Sequence, residues 1–294
     1  MNVRHAGRSP LTRNPPRDTI LGRGTPCQSM HRRKTSFAEA VRWMTPPQQS
    51  SFVVAGAHSF GLDNELNDLQ HLVQLARQRP WAALLLIEAS PLLASQLEAT
   101  IRAQNPFRRA TRIIVSNAAI CPKRLLGQSL PFYTVAAKLQ TGDPRLPGWA
   151  DQFGTFERTR IDKLVHDIPR FMDKNYGARN NWTLEAVRRT VVSHEVPCRS
   201  IADEVRQRKL PPPAVVLIDI EGLDCEVASE LSCETAPSVL QFETSWCPKA
   251  IQDEAIRRMP VRTACSGETL GYSNATRPKW SDVAFYRRAR PDSD

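Results

Sequence analysis

The residues with the clearest chemical potential are two carboxylates, Asp219 and Glu221, which lie on either side of Ile220 directly after an apolar run. This run, residues 214–218, is typical of a strand buried on both faces of a parallel sheet. Ligands of open α/β sheets bind beyond the carboxyl ends of such strands, and a buried charge is costly unless it has a partner. We therefore predict that Asp219 and Glu221 are functional. The alternative is that one of them caps the helix that follows Gly222.

Two further acids, Glu88 and Glu243, also end apolar runs. The runs at 51–55, 83–88 and 112–115 alternate with segments of helical apolar spacing, and this βαβαβ order predicts a doubly wound parallel sheet. The carboxyl ends of parallel strands lie along one edge of a sheet. Three acids at those ends therefore indicate a cleft.

A glycine-containing turn, with Gly56 and Gly61, separates the first strand from the helix that follows it. Glycine lets the backbone approach a ligand closely, and Glu88 at the end of the second strand is placed to accept hydrogen bonds from ribose hydroxyls. The spacing is not Gly-x-Gly-x-x-Gly, which disfavours a pyrophosphate-bearing dinucleotide such as NAD. A nucleoside ligand without phosphates fits better, and S-adenosylmethionine is the common one.

The segment Leu-Ile-Asp-Ile-Glu-Gly at residues 217–222 resembles the Lys-Ile-Asp-Val-Glu-Gly motif of the FkbM family of S-adenosylmethionine-dependent methyltransferases. Residues 196–203, 86–91 and 238–243 resemble other segments of that family, so the resemblance covers roughly residues 51–287. It implies a class I methyltransferase fold. This is a Rossmann-like α/β architecture with a mostly parallel seven-stranded sheet and an insertion before the fourth strand.

The resemblance also implies roles for individual residues. Five residues would bind S-adenosylmethionine: Gly56, Ala57, Gly61, Glu88 and Asn117. Within this set Glu88 would hold the ribose and Asn117 would lie near the adenine, while Asp219 and Glu221 would face the transferred methyl group and the acceptor. An acid in that position accepts the hydroxyl proton or orients the acceptor, so the implied reaction is O-methylation of a small molecule, sugar or glycan. No metal is implied, although a divalent ion between Asp219 and Glu243 is an open alternative.

The sequence also departs from the family pattern. The glycine turn is one residue longer, with Ser59, Phe60 and Gly61 after the first glycine, and Leu217 replaces the lysine of the motif. These departures support the alternative of a non-catalytic methyltransferase-fold protein that acts as a binding module.

The net charge of +10 is concentrated at the N-terminus, where residues 1–50 contain nine Lys or Arg against Asp18 and Glu39. We expect a disordered basic extension there, and its Arg-rich, acid-poor composition is also typical of an organelle transit peptide. The rest of the chain is close to charge balance, which disfavours nucleic acid as a partner. We assign residues 51–290 to a methyltransferase-like domain. Residues 120–210, which lack clear periodicity, would form its substrate-side insertion.

The seven cysteines are scattered, and none forms a Cys-x-x-Cys pair. This pattern predicts neither a disulfide framework nor a zinc site, and it favours a reducing compartment. No apolar run approaches the roughly 18 residues that a membrane span requires. We therefore expect an intracellular protein, cytoplasmic or, if residues 1–50 are a transit peptide, organellar.

Overall fold

The computed structural model divides the chain into two units, residues 1–33 and 34–294. The residues that the structure describes all lie in the second unit: 49–58, 80–104, 112–135, 154–176, 183–220, 222–231, 237–244, 247–258, 263–264, 269–270, 272–275 and 282–287. The predicted disordered extension therefore lies almost entirely outside the described residues, as do Gly61 and Glu221. The expectations for these residues stay predictions.

The secondary structure of the described residues alternates between strands and helices. In chain order the strands are β1 Ser51–Ala55, β2 Ala83–Glu88, β3 Ile113–Asn117, β4 Ala119–Ile120, β5 Ser129–Val135, β6 Gly154–Thr155, β7 Val191–Arg199, β8 Pro213–Ile218, β9 Val239–Glu243, β10 Thr263–Ala264, β11 Thr269–Leu270, β12 Tyr272–Ala275 and β13 Asp282–Arg287. The helices are α1 Pro91–Gln104, α2 Arg158–Tyr176, α3 Leu184–Arg188, α4 Ile201–Gln207, α5 Asp224–Ser229 and α6 Lys249–Arg258.

The main sheet has the strand order β12-β13-β9-β8-β1-β2-β3. Its strands from β9 to β3 pair in parallel, and β13 runs antiparallel to both β9 and β12. Every residue of β1, β2 and β8 is buried, as expected for parallel strands covered on both faces. The predicted mixed α/β fold with a mostly parallel sheet is thus confirmed.

The order in which the chain adds strands to the main sheet reverses at β1. The chain passes from β1 to β2 and β3 on one side, and it later returns to β8 and β9 on the other side. Beyond the carboxyl ends of β1 and β8 there is consequently a topological switch point, which is where open α/β sheets bind ligands.

The region that the sequence left irregular forms a second sheet, with the strand order β4-β7-β5-β6. Strands β5 and β7 are antiparallel along their whole paired length, from Ser129 opposite Pro197 to Val135 opposite Val191. One face of this ribbon packs against α2 and α3 in a cluster centred on Val135, Ile161 and Val187.

The apolar residues at 261–265 and 282–286 are compatible with two strands that form a final hairpin, but the structure pairs these strands differently. Strand β10 pairs with β11, whereas β13 pairs with β12 and β9. Alternating apolar residues identify a strand but not its partner, and β13 completes the main sheet by covering the edge of β9.

The expectation that the cysteines form no disulfide is wrong for four of them. Cys121 is bonded to Cys198, with Cα atoms 5.5 Å apart, and Cys225 is bonded to Cys247, with Cα atoms 6.0 Å apart. The pairs escaped sequence reasoning because their members are 77 and 22 residues apart and meet only through the sheets. Disulfides persist in oxidising surroundings, so the argument for a reducing compartment loses its basis.

Within the described part of the chain, the helices are all too short or too polar to cross a membrane.

Candidate active site

Five residues form one row across the carboxyl edge of the main sheet, and we call this the edge row: Asn117, Glu88, Gly56, Asp219 and Glu243. The pairing register places them there. Ala55 is opposite both Ile87 and Ile218, Glu88 is opposite Asn117, and Ile218 is opposite Phe242. The three acids expected at the strand ends are therefore neighbours along a single edge.

Glu88 is the buried acid of the edge row, with only 6% of its surface exposed. Its Oε2 accepts a hydrogen bond from the backbone N–H of His58, and its Oε1 accepts one from the backbone N–H of Ser90, both at 2.8 Å. Burial raises the pKa of Glu88 above its ordinary value, and the hydrogen bonds from Ser90, His58 and Ala89 only partly offset this effect. The carboxylate therefore organises the backbone on both sides of the strand end.

The turn after β1 is held in a conformation that requires glycine. Gly56 has a φ of 80°, and a Cβ added to it would overlap the backbone carbonyl of Asp219. The N–H groups of Gly56 and Ala57 both donate to the carbonyl of Ile87 at 2.9 Å. The turn is thus anchored to β2 and packed against the end of β8.

Asn117 binds the backbone at the end of β2. Its side-chain Nδ2 donates to the carbonyl oxygens of Glu88 at 3.0 Å and of Ala89 at 2.9 Å. The amide is exposed and its donor hydrogens are engaged, so its Oδ1 is the group it presents to a ligand.

Asp219 differs from the sequence expectation in its surroundings. Its backbone N–H continues the sheet by donating to the carbonyl of Ala55 at 2.9 Å, but the residue is exposed. The side chain is not buried as the sequence predicts, because the buried part of β8 ends at Ile218.

The buried acid of the β8–α5 segment is Asp224, which the sequence reasoning missed. It is 1% exposed, and its two carboxylate oxygens accept the backbone N–H groups of Ile220 and Gly222, each at 2.9 Å. Burial raises its pKa, against the lowering effect of those hydrogen bonds and of the Arg160 charge. Asp224 thereby fixes the loop that carries Asp219. The sequence signal for Asp224 is its position in the first turn of a helix, two residues after Gly222.

Through Arg160, helix α2, which packs against the second sheet, contacts the loop that carries Asp219. Arg160 lies near the start of α2, and its guanidinium occupies the space that a side chain on Gly222 would need. Gly222 has a φ of 115°, so the loop requires glycine for its conformation and for this contact.

No cluster of three or more His, Cys, Asp or Glu side chains among the described residues is arranged to hold a metal ion.

No protein-family model matches the sequence, and no curated protein matches it. Among solved structures, the chain is similar to the methyltransferase FkbM from Methylobacillus flagellatus KT, with 12% sequence identity and a TM-score of 0.44. The match covers 88% of this chain and 50% of that chain, so this protein spans half the length of the FkbM chain. We base the functional proposal on the geometry of the edge row itself.

Proposed function

We propose that the protein is an S-adenosylmethionine-dependent methyltransferase that transfers the methyl group to a hydroxyl of a small molecule, sugar or glycan. The observation that carries the proposal is the edge row at the switch point of the main sheet. It combines a glycine turn, a buried and oriented carboxylate at the end of β2, and an exposed carboxylate at the end of β8.

The residues of the edge row fit a nucleoside ligand. The Glu88 carboxylate accepts hydrogen bonds from the backbone N–H groups of His58, Ser90 and Ala89, and an ionised carboxylate has about four lone-pair sites. It therefore keeps the capacity to accept one ribose hydroxyl. Asn117 would offer its Oδ1 to the base, and the absence of a side chain at Gly56 would let the backbone of the turn approach the ligand closely.

The edge row contains the carboxylates of Glu88, Asp219 and Glu243, and the Arg160 guanidinium lies beside the Asp219 loop against Gly222. S-adenosylmethionine, when bound, supplies a methyl group on a positively charged sulfur. Anion cradles of dinucleotide sites require a different glycine spacing.

In the proposed reaction, Asp219 accepts the proton of the acceptor hydroxyl or orients that hydroxyl by a hydrogen bond. Asp224 holds the Asp219 loop in place through the N–H groups of Ile220 and Gly222. Most of the rate gain would come from fixing the acceptor oxygen in line with the transferred group. The catalytic assignment of Glu221 stays a prediction.

Calorimetry with S-adenosylhomocysteine, the demethylated cofactor, tests the proposal. We expect the full chain to bind it, and Glu98→Gln, a surface substitution on α1 next to Arg102, to bind it equally. Absence of binding at millimolar concentration in a folded sample would refute the proposal.

A further inference from the structure

One face of the second sheet carries polar groups that the site described above does not use. The β5–β7 register places Phe132 opposite His194, and the β5–β6 register places Thr134 opposite Gly154. Side chains of directly opposed residues, and of residues two apart on a strand, share a face. We call this surface the roof face, and its side chains include Leu130, Phe132, Thr134, Phe156, Val192, His194 and Val196.

The roof face contacts the carboxyl edge of the main sheet. Phe132 and Val196 belong to a buried cluster, and Phe156 and Ala89, the residue after the buried acid Glu88, pack against it. Four residues after Phe156, Arg160 lies against Gly222 in the Asp219 loop. The second sheet therefore contacts the edge at β2 and, through α2, beyond β8.

Two polar atoms of the roof face are buried without a hydrogen-bond partner among the described residues, namely Thr134 Oγ1 and His194 Nε2. Thr134 is only 3% exposed. Their Cβ atoms are diagonal neighbours on an antiparallel pair, roughly 7 Å apart by the usual geometry. Buried polar groups of this kind are uncommon, and each calls for an explanation.

The surroundings of these two atoms are aromatic and uncharged. The rings of Phe132 and Phe156 have centroids 5.0 Å apart, and the Phe132 ring fills the space that a side chain on Gly154 would take. The described residues of the roof face include neither Asp, Glu, Lys nor Arg. The two hydrogen-bonding atoms therefore lie in uncharged surroundings that include two aromatic rings.

The hydrogen-bonding capacities of Thr134 Oγ1 and His194 Nε2 favour a ligand that carries a hydroxyl group. A threonine hydroxyl both donates and accepts, whereas His194 Nε2 either donates or accepts according to the tautomer of a neutral ring. A ligand hydroxyl also donates and accepts, so it satisfies both atoms with either tautomer. A carboxylate only accepts and an ammonium group only donates.

We propose that the roof face binds the acceptor as an uncharged ring bearing a hydroxyl, which Thr134 and His194 hydrogen-bond while Phe132 and Phe156 contact the ring face. This inference rests on the proposed methyltransferase function and defines its acceptor class. A phenol and the apolar face of a sugar ring share this chemistry, and binding experiments distinguish them.

The test titrates catechol and, separately, methyl β-D-glucopyranoside into the full chain in the presence of S-adenosylhomocysteine. Calorimetry gives the affinity, and NMR of the histidine side chains reports on His194. We expect one probe to bind and Thr134→Val to weaken it by about five-fold or more, the size of one lost hydrogen bond. Thr134→Ser restores the hydroxyl and the affinity. Tyr133→Phe removes a hydroxyl from the opposite face of the same strand and serves as the matched control.

The outcomes separate this inference from the proposed function. If S-adenosylhomocysteine binds but neither probe does, or if Thr134→Val retains the affinity, the inference fails while the methyltransferase proposal stands. Equal weakening in Tyr133→Phe also overturns it, as does a Tm several degrees lower for Thr134→Val without ligand, because the hydroxyl would then already have a partner. If no S-adenosylhomocysteine binds, the proposed function fails.

Discussion

At the scale of single residues, Glu88 meets two opposing demands. Its burial favours the protonated form, whereas ribose hydroxyls and the N–H groups of His58 and Ser90 are satisfied best by the ionised form. The protein's stability and its ligand affinity should therefore respond to pH in opposite directions. Ionised Glu88 lowers the stability of the unligated fold, and protonated Glu88 lowers the affinity for the ligand.

The affinity for S-adenosylhomocysteine should fall on acidification at a pH above 4.5, the ordinary pKa of this group, because the raised pKa lets Glu88 take up its proton early. Over the same window the contribution of Glu88 to stability should decrease as pH rises, since the folded state binds the proton more tightly than the unfolded state. Calorimetry and Tm measurements in one buffer series check both signs.

Glu88→Gln is the matching variant for the pH prediction. It should weaken binding at pH 8 by about 10- to 100-fold, because the ligand loses its hydrogen bonding to a charged carboxylate. It should also flatten the pH profile. Full affinity in this variant would contradict the role given to Glu88, and Glu98→Gln provides the surface control.

Asp219 is a separate case at the residue scale, because its carboxylate is exposed and follows the last buried residue of β8. Asp219→Asn should retain S-adenosylhomocysteine binding and lower methyl transfer by about 10²- to 10⁴-fold, the range for loss of a general base. Labelled S-adenosylmethionine, with whichever neutral ring probe binds, measures the transfer. Asp253→Asn, on the exposed surface of α6 beside Lys249, should transfer normally. Unchanged transfer by Asp219→Asn would remove Asp219 from the mechanism.

At the scale of elements, a buried acid joins the two sheets. Glu204 of α4 is fully buried, and it accepts hydrogen bonds from Arg199 at 2.7 Å and from Arg208 at 2.8 Å. Arg208 also donates to Ser116 of β3 at 2.7 Å. Burial alone raises the pKa of Glu204, but the hydrogen bonds from Arg208, Ser116 and Arg199 outweigh it, and the pKa is lowered.

Glu204→Gln should lower the free energy of unfolding by about 2–3 kcal/mol at neutral pH, because charge-assisted hydrogen bonds are lost at a buried position. The contribution is present above the unfolded pKa and disappears as pH falls through the lowered folded pKa, so wild type and variant should converge in acid. Urea unfolding measures the difference. Glu185→Gln breaks an exposed pair with Arg189 and should cost below about 0.5 kcal/mol. A loss of similar size in both variants would contradict the prediction.

The main sheet was predictable because β1, β2 and β8 are apolar runs long enough to be buried on both faces. The edge row followed from the same kind of pattern, since Glu88 and Glu243 end the apolar runs of β2 and β9. Asp224 was missed because its burial depends on a loop that folds back over it. Asp219 was expected to be buried because the sequence does not show at which residue of β8 the burial by neighbouring elements ends. Residues 131–136 and 190–193 are recognisable as strand candidates, and they fall in β5 and β7. Their antiparallel pairing escaped because it leaves no periodic signature that identifies the partner.

At the scale of the whole molecule, the two disulfides stabilise the parts that surround the edge row. Cys121–Cys198 ties β4 to β7 within the second sheet, and Cys225–Cys247 ties the start of α5 to the segment before α6. The first three of these cysteines are at most 3% exposed. Their burial indicates structural bonds that form during folding.

Reduction should therefore destabilise the protein. The closed loops of 77 and 22 residues correspond to about 4 and 3 kcal/mol in the chain-entropy account. Peptide mapping without reductant should recover both pairs. Cys198→Ser and Cys247→Ser should each lower the urea midpoint. Identical unfolding curves with and without reductant would contradict the two bonds.

The contact of Gly56 with the carbonyl of Asp219 also constrains how this protein can change. The two residues are far apart in the chain, yet a side chain at position 56 has no space unless the end of β8 moves. Substitutions at adjoining positions of this kind are non-additive. A variant at position 56 would thus be acceptable only together with particular substitutions at the end of β8, so the order in which mutations arise decides which ones persist. The two motifs form a single unit of evolutionary change.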